Sequence, residues 1–409
     1  MHSAHLIVPL QKEGGRAIYT LFDIRNRQMN DKLIIGLDAK RIVRNGTGLG
    51  SYGRTLVNDL AERPLQLRLY APDAGRDDLR QQVMDHDNVQ LCLPKRPLPL
   101  VGKALWRSRG MVADLQRDGV QLFHGLSGEL PIGIRRRGIP TVVTIHDLIF
   151  MRHPEFYHWA DVQIYKWKFR QTIREADHII AISECTKRDI MELGDVDERR
   201  ISLIYQSAAH RFAAEVTADE RQRVCQKYGL PKRIILNVGS IEARKNMLLA
   251  VKALPYLPAD VGLVMVGRHT PYTDTIVKYA ETHQLTHRLH ILHGVPDEDL
   301  PALYAVAEAF VYPSVYEGFG IPIIEAIRQG LPVVACSGSC LEEAGGPYCR
   351  YVVPGDVQGM ADALGKSLVG DAERDARIVG SQQYVRRFEG NTVASQVYDL
   401  YQELLRKRD

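Results

Sequence analysis

Short apolar runs alternate with longer amphipathic segments along most of the 409-residue chain. This alternation is typical of βα units that build a parallel sheet. In the first half the apolar runs predict six strands, at Leu33–Leu37, Gln66–Tyr70, Leu122–His124, Thr141–Ile145, His178–Ile182 and Ile201–Tyr205. The amphipathic segments predict helices near residues 50–62, 103–118, 157–175 and 184–193.

A second set of strands follows a change of character between Gln206 and Thr217. Its five predicted strands are Arg233–Val238, Gly262–Val266, Leu289–Leu292, Ala309–Tyr312 and Pro332–Ala335. The pattern therefore predicts an α/β protein with two doubly wound, Rossmann-like domains. Because ligands bind beyond the carboxyl ends of the strands in such sheets, we expect the site in a central cleft that both domains face.

We assign residues 32–210 to an N-terminal domain on the acceptor side and 211–387 to a C-terminal domain on the donor side. Residues 1–31 are treated as an extension of unknown role, and Met29 stands where a chain could equally begin. Residues 388–409 are predicted to form a helix with an apolar stripe, which we expect to pack back on the N-terminal domain. The stripe consists of Val393, Val397, Leu400, Tyr401, Leu404 and Leu405.

Composition changes this picture little. Hydrophobic residues make up 45% of the chain, charged residues 25%, and the net charge is +4. These values are ordinary for a globular protein and fall short of a nucleic-acid-binding signature. The six cysteines form no CxxC pair, which predicts free thiols in a reducing cytosol. Without a membrane-spanning run or a signal peptide in the sequence, we expect a cytoplasmic protein.

One basic segment affects the expected partners. Lys103, Arg107 and Arg109 lie around Trp106. A solvated surface is the plain interpretation of such a cluster. Contact with anionic lipid or with a phosphate-bearing acceptor is the alternative, and it would place the protein at the inner face of a membrane.

The most specific stretch is PSVYEGFGIPIIEA, residues 313–326, between a predicted strand and a predicted helix. Its two glycines allow the backbone to approach a ligand closely, and Pro322 suits the first helical turn. The helix dipole favours negative charge or sugar hydroxyls at this turn. The residues that we expect to line it are Gly318, Phe319, Gly320 and Ile321.

Two glutamates flank this turn. Glu317 lies in the loop before it, and Glu325 lies one turn into the helix. Carboxylates so placed can accept hydrogen bonds from vicinal hydroxyls, one pair on a hexose and one on a ribose. A solvated loop glutamate and a glutamate favoured by the helix dipole are the structural alternative. The clustering of two glycines, an aromatic residue and two acids at one junction favours a ligand site.

Three further residues carry candidate chemistry. Arg244 and Lys245 follow a predicted strand, where fixed cations can stabilise the charge of a diphosphate leaving group. His146 follows the strand Thr141–Ile145 and should face the cleft, which suits a polar contact to a sugar. A solvated basic turn and a structural histidine are the respective alternatives.

These motifs resemble those of the retaining glycosyltransferases of family 4, which have the two-domain fold called GT-B. Glu317 and Glu325 match the family's paired-glutamate motif. Other segments match in the right order, among them 46–50, 144–150 and 238–246, and the resemblance extends from about Leu33 to the C-terminus. The HDLIF and RKN segments are most similar to mannosyltransferase-type members that build bacterial surface polysaccharides.

The resemblance implies transfer of mannose from GDP-mannose, in preference to a UDP-hexose, to a saccharide or lipid-linked saccharide with retention of configuration. It also implies that Glu317 positions the sugar and that His146 lies beside the reacting carbon. With Arg244 and Lys245 neutralising the diphosphate, we expect no tightly bound cofactor and no metal ion. The Asp195–Asp197 pair follows a helix and is not expected to bind one.

The resemblance implies further donor contacts. Gly48 and Gly50 would lie over the donor phosphates or near the acceptor, and the backbone of Gly294 and Val295 would meet the nucleobase. Two positions depart from the family pattern. Ser240 stands where many members have arginine, so Arg244 would supply that charge, and an LPE-like segment has its proline replaced in Leu341–Glu343.

Other functions are left open by the sequence. Gly48, Gly50 and Gly53 satisfy GxGxxG, with Asp73 near the end of the second strand, so an NAD-dependent oxidoreductase is an alternative. A sugar-nucleotide epimerase of the same fold would isomerise the donor without an acceptor. A non-catalytic carbohydrate-binding protein would keep the cleft. Ser183 is interpreted as a helix N-cap.

Overall fold

The computed structural model describes residues 7–12, 15–20 and 33–407 of the chain. Strands β1 (Ile7–Lys12) and β2 (Gly15–Thr20) form a separate antiparallel pair within the predicted extension. Met29, the possible alternative start, lies outside the described residues.

The first domain is a seven-stranded parallel sheet with strand order β5-β4-β3-β6-β7-β8-β9. Chain order reverses between β3 and β6, and a ligand crevice is expected at the carboxyl ends of such a pair. The strands are β3 (Leu33–Asp38), β4 (Leu65–Tyr70), β5 (Val89–Cys92), β6 (Leu122–Gly125), β7 (Thr141–Ile145), β8 (His178–Ala181) and β9 (Ile201–Leu203).

Helices cover this sheet and bury two apolar cores, one centred on Ile35 and Leu37 and the other on Phe123 and Val143. They are α1 (Lys40–Arg44), α2 (Gly48–Ala61), α3 (Asp77–Arg80), α4 (Leu100–Leu105), α5 (Met111–Arg117), α6 (Ile149–Arg152), α7 (Trp159–Glu175) and α8 (Glu184–Gly194). The single helix predicted over 103–118 is α4 and α5 joined by a π-helical turn at Trp106–Gly110.

The second domain repeats the design with six parallel strands in the order β12-β11-β10-β13-β14-β15. Its reversal lies between β10 and β13, so both domains are doubly wound, which confirms the predicted fold. The strands are β10 (Arg233–Val238), β11 (Val261–Val266), β12 (Leu289–Leu292), β13 (Ala309–Tyr312), β14 (Val333–Cys336) and β15 (Arg350–Val352).

The second domain's helices bury apolar cores on both faces of its sheet. They are α9 (Ala218–Tyr228), α10 (Met247–Ala253), α11 (Pro271–Thr282), α12 (Leu300–Val306), α13 (Ile321–Arg328), α14 (Leu341–Gly345), α15 (Val357–Gly365) and α16 (Arg374–Val385). Among the described helices of the whole chain, none has both the length and the apolar character needed to cross a bilayer.

Besides β1 and β2 of the extension, two strands of the parallel sheets were not predicted. β5 and β15 lie at edges of their sheets, and each is only partly buried. An edge strand needs no continuous apolar run, because one side of it has no neighbouring strand. Their sequences, VQLC and RYV, therefore give a weak signal.

The last helix, α17 (Gly390–Arg406), returns to the first domain. Val393, Val397 and Leu400 are buried in the same core as Ile35. Tyr401 is fully buried, and its hydroxyl lies 2.6 Å from Nδ1 of His124. The other ring nitrogen of this buried histidine lies 2.8 Å from the Thr144 hydroxyl, so both nitrogens are occupied by protein groups.

Replacing Tyr401 with Phe should leave Nδ1 of buried His124 without a partner. An orphaned buried polar atom costs about 1–3 kcal/mol of unfolding free energy. Tyr398→Phe is the matched control, because that hydroxyl bonds only Gln402 of the same helix among the contacts described. Equilibrium urea unfolding checks this, and equal losses in the two variants would contradict it.

Candidate active site

The loop after β13 brings the second domain into contact with the first. A Cβ on Gly318 would lie 1.9 Å from the carbonyl oxygen of His146, so only glycine allows this approach. Gly320 has φ 132° and caps α13, whose first turn contains Pro322 as predicted. Between the glycines, Phe319 is buried and stacks on Tyr205 at 5.4 Å between ring centroids.

Glu317 lies between the two predicted cations. Its Oε2 is 3.1 Å from Arg244 Nη1, and its Oε1 is 2.5 Å from Lys245 Nζ. The Lys245 ammonium also donates to the Tyr312 hydroxyl at 2.6 Å. Burial would raise the pKa of Glu317, but Lys245 and Arg244 outweigh it and the pKa is lowered. The structure therefore brings three of the four predicted catalytic residues together, with Glu317 as a carboxylate.

Asp147 adds a second carboxyl group from the first domain. Its Oδ1 accepts from the Ile149 amide at 3.1 Å. Burial raises the pKa of Asp147 and Glu317 raises it further, while the Ile149 amide and Arg244 oppose the shift. This residue was not predicted beyond the HDLIF match, although a polar group directly after a buried strand is a signal that sequence reasoning can use.

Glu325 lies apart from this ionic cluster, on the far side of the first turn of α13. Its Oε2 accepts from the Tyr304 hydroxyl at 3.0 Å. Burial raises the pKa of Glu325 to about 7, partly opposed by this hydrogen bond and by Arg211. Glu325 therefore changes charge near neutral pH, whereas Glu317 stays charged.

His146 is half-buried, and its backbone carbonyl meets Gly318 across the cleft. Its ring Nε2 lies 2.8 Å from the Leu126 carbonyl and donates to it, while Nδ1 accepts from Gln206 at 2.7 Å. Burial lowers the pKa of His146 to about 4. The imidazole is therefore neutral with a fixed tautomer, and Gln206 is a partner that sequence reasoning missed.

The glycine-rich loop at residues 46–50 leads into α2. Helix α1 intervenes between β3 and this loop, so a strand does not lead directly into it. Space around Gly48 is open, but Cβ atoms on Gly50 and Gly53 would collide with Asn45 and Ile42. These two glycines therefore serve helix packing, which weakens the dinucleotide fingerprint.

Asp73 is also occupied. It forms ion pairs with Arg44 and, at 2.8 Å, with Lys103. The Arg44 hydrogen bond is the main cause that lowers the pKa of Asp73 to about 2. An acid held by two cations is not free to bind a ribose. The oxidoreductase alternative needs Asp73 for that contact, so this observation counts against it.

The remaining positions named from the sequence lie in loops or at helix ends. Gly294, with φ 66°, follows β12 and has open space around it, with Val295 next to it. Ser183 caps α8 by accepting from the Thr186 amide, which confirms its predicted role. Asp195 ends α8 in the left-handed region and Asp197 caps the next turn. Within the described ranges, no group of three or more His, Cys, Asp or Glu is arranged to hold a metal ion.

A cavity of about 550 Å³ opens in the first domain, between the segment around Trp106 and α7. Its polar wall is an ion-pair network in which Arg107 bonds Asp38 and Glu129, and Lys168 bonds Glu129 at 3.0 Å. Its rim is apolar and exposed. The rim residues are Leu100, Val101, Leu105 and Trp167, from 53% to 83% exposed.

Comparison with known proteins identifies the class. A model of Glycosyltransferase Family 4 matches residues 46–207, and a model of Glycosyl transferases group 1 matches residues 220–380. Sucrose-phosphate synthase from Thermosynechococcus elongatus shares the fold with a TM-score of 0.75 at 21% identity, over 92% of this chain and 100% of that one. The chain therefore belongs to the two-domain GT-B glycosyltransferases, which confirms the family predicted from its motifs.

Two relatives from Escherichia coli are similar in sequence. The O-antigen chain mannosyltransferase B is 28% identical over 372 residues, which span 88% of this chain and 96% of that protein. The serotype-specific mannosyltransferase WbdA is 30% identical over 264 residues, which span 62% of this chain and 32% of WbdA.

Replacing Glu317 with Gln should leave buried Lys245 and half-buried Arg244 without their carboxylate. Breaking a buried ion pair in this way costs about 3–5 kcal/mol of unfolding free energy. Because the pKa of Glu317 is lowered, its contribution is present above its ordinary value of 4.5 and is lost as the pH falls below it. Urea unfolding at pH 7 and at acidic pH checks both parts.

Glu242→Gln is the matched control, because Glu242 pairs with the same Arg244 at 3.2 Å but is 42% exposed. Exposed pairs contribute about 0–1 kcal/mol. Similar losses in the two variants at pH 7 would show that the Glu317 cluster is not a buried ionic unit.

Proposed function

We propose that this chain transfers mannose from GDP-mannose to a saccharide acceptor, with retention of configuration, in the assembly of a surface polysaccharide. The observation that carries the proposal is the buried Glu317 carboxylate between Arg244 and Lys245, where the two domains meet. The similarity to mannosyltransferases over 96% of one relative supports mannose as the sugar.

In the proposed reaction, the bond between the anomeric carbon and the diphosphate oxygen breaks, and the diphosphate keeps the electron pair. An acceptor hydroxyl oxygen forms the new bond to that carbon, and its proton passes to an oxygen of the departing diphosphate. Arg244 and Lys245 stabilise the charge that develops on the diphosphate. Both cations pair with the one Glu317 carboxylate in the structure described here, so a diphosphate bound to the cations would release this carboxylate to accept from sugar hydroxyls.

The contact between the domains supports a transferase. Gly318 meets His146 across the cleft, so closure excludes water from the space beside Glu317. Exclusion of water limits hydrolysis of an activated donor. His146 is neutral and bonded at both ring nitrogens, so its role is to shape the pocket around the sugar, with its carbonyl at the contact.

The cavity of the first domain is proposed as the acceptor site. Six basic and three acidic side chains line it, which favours an anionic ligand. Lys40 is among them, and burial together with Arg107 lowers its pKa. A bound anion would therefore stabilise the charged form of Lys40. The exposed apolar rim suits a lipid chain. A lipid-linked saccharide phosphate, presented at the cytoplasmic face of a membrane, has both chemistries.

A panel of nucleotide sugars tests the function. We expect GDP release from GDP-mannose, stimulated by acceptor, and a product that keeps the anomeric configuration of the donor. Turnover with a lipid-linked saccharide in anionic vesicles should exceed turnover with the free saccharide. Glu317→Gln, in preparations shown to be folded, should lose about 100-fold in rate because the sugar is misplaced.

The other outcomes separate the alternatives. Turnover of uridine donors alone would contradict the GDP-mannose assignment and leave the fold unaffected. Isomerised donor without acceptor would indicate an epimerase, and a nicotinamide absorbance change an oxidoreductase. Absence of any released nucleotide would favour a carbohydrate-binding protein. Equal turnover of free and vesicle-borne acceptors would contradict the membrane contact.

Glu325 gives the donor site a pH dependence. We expect its carboxylate to accept from the ribose hydroxyls, and only the ionised form accepts with both oxygens. Since its pKa is about 7 without ligand, GDP-mannose affinity should weaken below pH 7, by up to about tenfold per pH unit. Calorimetric titration between pH 5 and about pH 8 measures this.

Glu325→Gln should bind the donor more weakly and remove this pH dependence. His146→Ala is the comparison, since it should mainly lower kcat and leave the pH dependence of donor binding in place. A pH dependence that survives in Glu325→Gln would assign the titration to another group.

A further inference from the structure

The first turn of α8 is completed by both domains. The four amides at the start of any helix lack partners within it. Ser183 accepts from the third of these, the Thr186 amide, at 2.9 Å. The first two, of Glu184 and Cys185, donate to the two carboxylate oxygens of Glu343 at 2.8 and 3.0 Å. Glu343 belongs to α14 of the second domain, so these two amides have their partner only when the domains are together.

Glu343 is well suited to this contact. A carboxylate at a helix N-terminus is favoured by the helix dipole, and bonds from amides to a charged acceptor are stronger than those to a neutral one. The backbone of Glu343 is anchored in the second domain, where its carbonyl accepts from the Tyr384 hydroxyl at 2.8 Å.

The first two turns of α8 contact the residues on either side of Glu317. The Ser183 hydroxyl donates to the Gly318 carbonyl at 2.7 Å. One turn later, Asp189 accepts from the Tyr316 hydroxyl at 2.7 Å. The position of Glu317 along the cleft is therefore set by how α8 docks on the second domain.

We propose that Glu343 is a positioning residue that holds the two domains in this arrangement by capping α8, and so places Glu317 against the donor. Glu343 acts through α8 and the 316–318 segment. The placement of Glu317 against the donor rests on the function proposed above. The capping of α8 and the arrangement of the two domains do not.

The chain offers a matched control next to this residue. Glu342 occupies the preceding position of α14, and it is exposed. Its Oε2 accepts from the Gly338 amide at 3.1 Å, within the second domain. Replacement of Glu342 changes the same charge on the same helix without touching α8.

The test compares Glu343→Gln and Glu343→Ala with Glu342→Gln in the full chain. Glutamine keeps the size of the side chain but turns an N–H toward an amide donor, so it breaks one bond of the cap and keeps the packing. In both Glu343 variants we expect faster hydrogen exchange at the amides of Glu184 and Cys185. We also expect a larger radius of gyration in solution scattering. Glu342→Gln should show neither change.

In the transfer assay, the Glu343 variants should lose at least about tenfold in kcat and hydrolyse a larger share of the donor, because closure no longer excludes water. Unchanged exchange at the start of α8 would overturn the proposal. Faster exchange with an unchanged radius would also overturn it, because Glu343 would then be a local cap only. If the parent protein turns over no nucleotide sugar, the proposed function fails while exchange and scattering still decide this inference.

Discussion

A carboxylate buried between two cations is the interaction on which the cleft depends. Arg244 and Lys245 come from the loop after β10 and Glu317 from the loop after β13, so the pair joins the two strands at the reversal of the second sheet. Burying either cation alone would be costly, because a charge in a low-dielectric interior needs a partner. A backbone bond from the Val315 amide to the Arg244 carbonyl ties the same two loops together.

The ion pairs of Glu317 also affect the contact between the two domains, because the next residue is Gly318. Because Gly318 follows Glu317 directly, the loop that the ion pair fixes is also the loop that touches the His146 carbonyl. No side chain fits between Gly318 and the His146 carbonyl, so at this point the two domains meet backbone to backbone. A change in domain angle therefore moves Glu317 relative to everything that the first domain presents, including Asp147.

Much of this could be predicted from local sequence. Buried strands such as Ala309–Tyr312 are continuous apolar runs, and Glu317, Arg244 and Lys245 lie in the loops that follow strands. Sequence patterns do not reveal contacts between residues that are far apart along the chain. The contact of Glu343 with α8 spans 159 positions and has no periodicity that a sequence could display. His146 was expected at the reacting carbon on resemblance, and only the fold shows that Gln206 occupies its ring.

The residues predicted to be catalytic share a property that bears on the reaction. Arg244 and Lys245 are protonated, Glu317 is held as an ion pair by both, and His146 is neutral with its Nδ1 lone pair engaged by Gln206. None of the four is therefore a free base that could take the proton of an acceptor hydroxyl. In the proposed reaction the proton goes to the departing diphosphate, because a diphosphate oxygen gains basicity as its bond to the sugar breaks. The two cations then have a double role: they stabilise the departing charge, and they set how basic that oxygen becomes.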